Sequence, residues 1–412
     1  MSLANTASRY GSVAKTFHWL TALLIFTVFP LGAVANNMAY QIKTAASPDP
    51  DLIAQTAWLF SLHKTLGIAV FFVALARILW AFSQPKPAPM HPERRLETFA
   101  ADTAHWLLYS SLVIVPLSGW IHHAATTGFA PIWWPLGQGL PLVPQSQAVE
   151  SFFAGVHIVV TKVLLIALAA HVAGALKHAL IDRDGVLARM WFGRTDLPAP
   201  AADHHVARPV ATAFVVWAAA LGIGGGLGVY QSAGGIAAAA TLEEVDSEWR
   251  VEDGTIALTV TQFGNQVGGE FADFTAAIDF DETVATGRAG SAEVTIAIGS
   301  LSLGSVTDQA MGADYFDTAG FPTATFTADI VALEDGHEAT GTLTIKDQSQ
   351  PITFPVDIAV DGDTATATGT VSLNRMNYGV GASQQDEGTL AFAVDVQIEV
   401  TATRGGEAAG SS

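Results

Sequence analysis

The stretch from Phe152 to Leu176 is apolar enough to cross a membrane, yet it carries two histidines, His157 and His171. An imidazole in lipid is expensive unless something holds it, so this pair constrains the fold more than any other feature of the chain. The two are 14 residues apart. At about 100° per residue they return to nearly one helix face, separated by roughly 21 Å of rise. Against a hydrocarbon core about 30 Å thick, one sits near each surface. One helix then offers an imidazole to each leaflet, which is the geometry for two metal-centred cofactors stacked across a membrane. The alternative is two polar side chains hydrogen-bonded to neighbouring helices.

Four more apolar runs have the length of membrane spans: Phe17 to Val34, Trp58 to Phe82, Thr103 to His123, and Val210 to Tyr230. The first continues past the length of a signal-peptide core without a clear cleavage site. Positive charge gathers in alternate connections. Lys86, Arg94 and Arg95 follow the second run, and Lys177, Arg183, Arg189, Arg194 and Arg208 follow the fourth, whereas Ala124 to Glu150 has no Lys or Arg. By the positive-inside tendency the N-terminus is cytoplasmic, and five crossings place everything after Tyr230 outside an inner membrane.

That outer part has a different composition. Residues 1–240 hold 14 Lys+Arg and 10 Asp+Glu, whereas residues 241–412 hold 5 and 28. The net charge of −19 therefore belongs to the second half. This argues against a nucleic-acid partner and for a well-solvated acidic domain. There is no cysteine, hence no disulfide, no thiolate metal site and no covalent haem attachment.

With this orientation the histidines sort by depth. His18 and His171 lie toward the cytoplasmic side, and His63 and His157 toward the outer side. Each pair has the members for a six-coordinate, non-covalent haem, since imidazole is a good axial ligand and porphyrin supplies the other four nitrogens. Facing helices of a bundle are a common place for such sites. Arg77 follows His63 by 14 residues and reaches the opposite leaflet on the same face. It is a candidate partner for a haem propionate, with snorkelling to the surface as the alternative. Lys162 either approaches an outer propionate or reaches the surface. Periodicity alone leaves His105, His123 and His178 open as rival ligands; His122 sits at a helix end, and His204 and His205 in a polar loop.

In order along the chain, Phe17-His18-Trp19-Leu20, Leu62-His63-Lys64-Thr65-Leu66-Gly67, Arg77-Ile78-Leu79-Trp80, His105-Trp106-Leu107-Leu108-Tyr109, Pro116-Leu117-Ser118-Gly119, His157 and His171 resemble the bacterial cytochrome b561 family over about residues 8–195. The resemblance implies four helices and two b haems with His18, His63, His157 and His171 as axial ligands. It also implies electron transfer linked to the quinone pool, with ubiquinone or another isoprenoid quinone as a further cofactor. The same helix type serves as the quinone-reducing subunit of larger dehydrogenases, so the donor or acceptor protein stays open, as does superoxide:quinone oxidoreductase activity. A titratable group is expected near a quinone, and His105 is the candidate.

Beyond Tyr230, a Gly- and Ala-rich segment to Ala240 reads as a flexible linker; a cleavable internal signal with small residues at Ala238 and Ala240 is the alternative. From Trp249 the pattern turns to period two. Leu390, Phe392, Val394, Val396, Ile398 and Val400 alternate with polar residues, as do Ile352, Phe354, Val356, Ile358 and Val360. This predicts an antiparallel sandwich or barrel with one apolar face inward, a face that pattern alone assigns to packed core. Gly268-Gly269-Glu270-Phe271-Ala272-Asp273-Phe274, Met311 to Asp317, Phe321 to Phe326, Gly341 to Ile345, Leu373-Asn374-Arg375 and Tyr378-Gly379 resemble the lipocalin-like YceI family, a periplasmic eight-stranded barrel that binds isoprenoid lipids and quinones. The family often has a His before the first Gly-Phe turn, where this chain has Thr261-Gln262-Phe263-Gly264. Phe271, Phe316 and Phe326 are candidate cavity-lining residues.

The expected architecture is thus an all-α transmembrane four-helix bundle (1–195), a fifth linking transmembrane helix with a linker (196–240), and an all-β antiparallel lipocalin-like barrel outside the membrane (241–412). A membrane-anchored lipid-binding module without redox activity is the rival reading.

Overall fold

The computed structural model describes residues 2–405 apart from 7, 46–48, 127–129, 136, 193–206, 232–239, 244 and 246. His204, His205, Arg194 and Ala238 lie outside the described residues. The chain divides into a helical unit and a strand unit.

The helical unit has five helices long and apolar enough to cross a membrane. They are α1 (Ser12–Thr44), α2 (Pro50–Phe82), α3 (Arg95–Ala124), α4 (Gln147–Lys177) and, after a short α5 (Val186–Met190), α6 (Ala207–Gly226). The first four run longer than the apolar stretches that announce them, because water-facing turns at each end need no apolar side chains. Prolines punctuate the connections: Pro85, Pro87 and Pro89 follow α2, where the missing N–H and the restricted preceding residue end the helix. Helix α4 ends in a π turn, His178–Asp182, followed by left-handed residues Arg183 (φ 53°) and Gly185 (φ 81°). Helix α6 stops at Gly226 rather than Tyr230 because the glycine-rich run from 222 to 228 does not sustain it. Tyr230 instead folds back and donates its hydroxyl to Leu221 O at 2.7 Å.

Helices α3 and α4 make the most extensive pairing, with α6 against both. Trp217 of α6 is buried against Val160 and Val163 of α4, and its indole donates to Ser110 Oγ at 2.9 Å. Midway along the bundle, Ile25, Val70, Ala74 and Leu112 form a buried layer from α1, α2 and α3, joined by Leu168 of α4. For helices surrounded by lipid, such close packing and the indole hydrogen bond hold the bundle.

The strand unit is an eight-stranded antiparallel barrel. Strand β1 (Trp249–Gln262) pairs along one edge with β10 (Leu390–Arg404), which closes the sheet on itself. On its other edge it pairs with β2 (Asn265–Phe271) through its second half and touches β3 (Phe274–Phe280) at Trp249↔Ile278, so β2 and β3 act as one broken strand. The circuit continues through β4 (Gly287–Ala297), with β5 (Leu301–Ser302) added beside β2, then β6 (Thr323–Ala332), β7 (His337–Ile345), β8 (Gln348–Asp361) and β9 (Thr364–Asn374). Closure leaves no long unpaired edge. The β1–β2 hairpin turns on Phe263 (φ 48°) and Gly264 (φ 75°), the left-handed pair that a two-residue turn of this twist requires.

Candidate functional site

In the helical unit the histidines lie at two levels. His18 of α1 and His171 of α4 face each other with ring centres 6.1 Å apart and planes tilted by 59°. Metal–imidazole bonds are about 2.0–2.1 Å, so rings gripping one metal from opposite sides have centres roughly 6 Å apart. His105 of α3 also meets His171, edge to face, with ring centres 5.1 Å apart. That is shorter than two rings gripping one metal from opposite sides require, so the distance separates His105 from His18 in that role.

At the other level, His63 of α2 and His157 of α4 are held in matching ways. His63 donates from Nδ1 to Val28 O of α1 at 2.9 Å, and His157 from Nδ1 to Val115 O of α3 at 2.9 Å. A carbonyl only accepts, so each Nδ1 carries the hydrogen and each Nε2 keeps its lone pair. A fixed tautomer with the distal nitrogen bare is what a metal-ligating histidine needs. In each case the residue four beyond the accepting carbonyl is glycine. A Cβ on Gly32 would fall 2.6 Å from His63 Cε1, and one on Gly119 would fall 3.0 Å from His157 Cε1. A helix carbonyl points toward the residue four ahead, so glycine there uncovers it for a second donor. Pro30 and Pro116 sit between carbonyl and glycine in both helices.

Arg77 of α2 is at the His18/His171 level, close enough to act electrostatically on both rings. Its guanidinium lies 5.2 Å from the centre of the Tyr109 ring. Among the described residues it forms no ion pair. Lys162, by contrast, is exposed on the outside of α4. Of the rival ligands, His122 is bound to Glu150, through its carbonyl at 3.1 Å and its carboxylate at 3.2 Å, and its ring lies tilted against that of His123. His178 contacts Asp182 and Asp184. Among the described residues two groups could hold a metal ion, His91–His178–Asp184 and Glu97–His178–Asp182, and neither includes His18, His63, His157 or His171.

The barrel interior is a cavity of about 300 Å³ with an almost wholly apolar wall. This corrects the expectation of packed core. Val394, Val396, Ile398 and Val400 point inward yet are only half-buried, because they face the cavity. Phe271, Phe316 and Phe326 all line it. On β1 the lining runs from Trp249 to Gln262, roughly 40 Å of strand, which suits a long apolar chain rather than a compact ligand. Gln262, at the position of the departure from the family's His, is buried and part of the wall. Near one end, Gln309 donates to the Tyr315 hydroxyl at 3.0 Å, and burial together with the Asp314 carboxylate pushes the Tyr315 phenol up to about 12.

Arg375 closes that end. It is 5 % exposed and, among the described residues, forms no ion pair. Instead it donates to the carbonyls of Val380 (2.9 Å), Gly381 (2.6 Å), Leu390 (3.0 Å), Ala391 (3.0 Å) and Gln384. Burial lowers its pKa from the usual guanidinium value. One side chain thus gathers the loop between β9 and β10. Arg375→Met keeps the apolar bulk but strands five acceptors, and we expect it to cost about 3–5 kcal/mol. A fall of about 10 °C in the thermal transition of the sheet signal would register that loss.

Residues 9–193 match the family model described as prokaryotic cytochrome b561, and residues 248–402 match the YceI-like domain. The chain is a cytochrome b561 domain fused to a YceI-like domain. The cytochrome b561 domain is 28 % identical over 198 residues to cytochrome b561 homolog 2 of Escherichia coli, covering 46 % of this chain and 95 % of that protein. It is 21 % identical to the probable superoxide oxidase CybB of Yersinia pestis, covering 44 % and 95 %. The YceI-like domain is 33 % identical to BcnA of Burkholderia cenocepacia, covering 36 % of this chain and 96 % of that one with a TM-score of 0.34. Sequence shows Gly119 within the Pro116 to Gly119 piece but not its cradle, because a glycine's role depends on what approaches it.

Proposed function

We propose that this protein carries electrons across or along a bacterial inner membrane through two non-covalent b haems, one between His18 and His171 and one between His63 and His157. The observation that carries the reading is the matched anchoring of His63 and His157, each with Nδ1 fixed on a helix carbonyl and a glycine making room for the ring. Haems bound there would supply reversible one-electron chemistry, tuned by their ligands and surroundings. The residues do the rest. Val28 and Val115 orient the two outer imidazoles, and the layer of Ile25, Val70 and Leu112 keeps the space between the levels apolar. Arg77 offers a guanidinium without a carboxylate partner, suited to an inner propionate. His105, edge-on to His171, is placed to hold or release a proton beside a quinone at that level.

We further take residues 1–195 as the cytochrome domain, 196–240 as a fifth span and linker, and 241–412 as a periplasmic barrel, with the N-terminus cytoplasmic. The barrel's elongated apolar cavity suits an isoprenoid quinone or a related lipid, which links it to the quinone pool used by the helices. A redox protein that donates or accepts electrons, or superoxide as donor, fits the same scheme.

Haem analysis of the purified full chain tests this reading. Two b haems per chain and a reducible alpha band in the reduced-minus-oxidised spectrum are expected. A colourless protein from cells with ample porphyrin would instead leave a membrane-anchored lipid-binding module.

A further inference from the structure

The connection before α3 and the end of α4 meet at two imidazoles and a carboxylate that the proposed electron transfer does not use. His91 Nε2 and His178 Nδ1 both approach Asp184 Oδ2, at 2.9 and 2.6 Å. The ligand atoms of all three lie within 4.8 Å of one another. Each member is positioned by another contact. Asp184 Oδ1 accepts from Val186 N at 3.1 Å at the start of α5, which leaves Oδ2 turned to the rings. His91 Nδ1 lies 3.1 Å from Glu93 Oε1. A carboxylate only accepts, so Nδ1 keeps a hydrogen on Glu93, while Nε2, which faces Asp184 Oδ2, holds either a hydrogen or a metal ion.

We propose that His91, His178 and Asp184 bind one divalent transition-metal ion of the zinc class. Two imidazoles and a carboxylate, with no thiolate, form a borderline donor set that suits Zn²⁺ and its neighbours, whereas Ca²⁺ and Mg²⁺ take oxygen ligands. Metal–ligand bonds of about 2.0–2.1 Å need donors roughly 3–4 Å apart, so only small side-chain movements separate the present arrangement from a bound one. Glu93 behind His91 supplies the carboxylate–histidine–metal relay that orients such ligands. The fourth position falls to water or to Asp182, whose Oδ2 is 3.2 Å from His178 Nδ1 and is already held by Lys177 and Arg94. The side chains are sheltered, with exposures of 27 % for His91, 21 % for His178 and 10 % for Asp184. A metal here clips the loop before α3 to the turn after α4, two helical turns beyond His171.

Equilibrium dialysis of the purified, tag-free full chain against micromolar Zn²⁺, after chelator treatment, tests the site with zinc read by elemental analysis. One zinc per chain is expected. His91→Ala, His178→Ala and Asp184→Asn should each weaken retention at least tenfold, and Glu93→Gln, which keeps all three ligands, by about tenfold. Circular dichroism checks that each variant is folded, and Asp184→Asn, which keeps an oxygen for Val186 N, carries the test if the histidine variants fail. Absence of zinc from the wild-type chain, or equal retention by Asp184→Asn, would overturn the proposal.

Discussion

Gly32→Val should strip one haem from the chain, and Gly119→Val should strip the same one. The two glycines are on different helices, α1 and α3, and touch different histidines, yet His63 and His157 belong to one proposed pair. A Cβ at Gly32 would sit 2.6 Å from His63 Cε1 and 2.8 Å from its Nδ1. Carbon atoms do not approach within 3 Å without a large repulsion, so either the ring leaves the Val28 carbonyl or the helices part. Helix α1 is packed through Ile25 against Val70 and Leu112, so the ring is the softer element. At Gly119 the Cβ falls 3.0 Å from both Cε1 and Nδ1 of His157, a milder clash that valine's branches enlarge. Haem-to-protein ratios should fall from two to one in each single variant, and stay near one in the double variant. His63→Ala and His157→Ala should give the same ratio, and adding His18→Ala should take it to zero. Two haems retained in Gly32→Val with the protein folded would show that His63 does not need its present place to hold iron.

The spacing behind this prediction is legible in the chain. Each of the first four helices carries a pair 14 residues apart: His18 and Gly32, His63 and Arg77, His105 and Gly119, His157 and His171. The imidazoles and the guanidinium advertise themselves in an apolar run, because polar groups there need a reason. Glycines do not, and the midpoints Ile25, Val70, Leu112 and Leu164 are indistinguishable by type from their neighbours. Helix existence followed from hydropathy, but the excess length of α1 and α2 beyond their apolar cores did not. In the barrel, alternation identified the strands and their inward faces. It points to packed core where the structure has a cavity, since a valine against a side chain and a valine against a cavity have the same sequence period. Sequence does not single out His91, because its partners His178 and Asp184 lie at the end of α4 and in the turn after it, 93 residues along the chain in the case of Asp184.

Filling the barrel should abolish lipid retention without unfolding it. Ala276 and Ala339 both line the cavity and are buried, at 8 % and 6 % exposure. In a close-packed core two alanine-to-phenylalanine changes would cost about 1–3 kcal/mol each from strain. Here the added rings have an apolar space to enter, so the melting transition of Ala276→Phe/Ala339→Phe should stay within a few degrees of wild type. A long apolar ligand needs the bore continuous, and two aromatic obstructions remove that at little change in polarity. With a photoactivatable isoprenoid analogue and mass mapping of the full chain, wild-type protein should be labelled within residues 248–402. The double variant should take less than a tenth of that label while labelling of the membrane helices is unchanged. Equal labelling of the barrel in both would place the lipid on its outer surface. Retained stability with lost labelling separates an open bore that a lipid chain can thread from a close-packed core, because in a close-packed core the same rings would lower the melting transition.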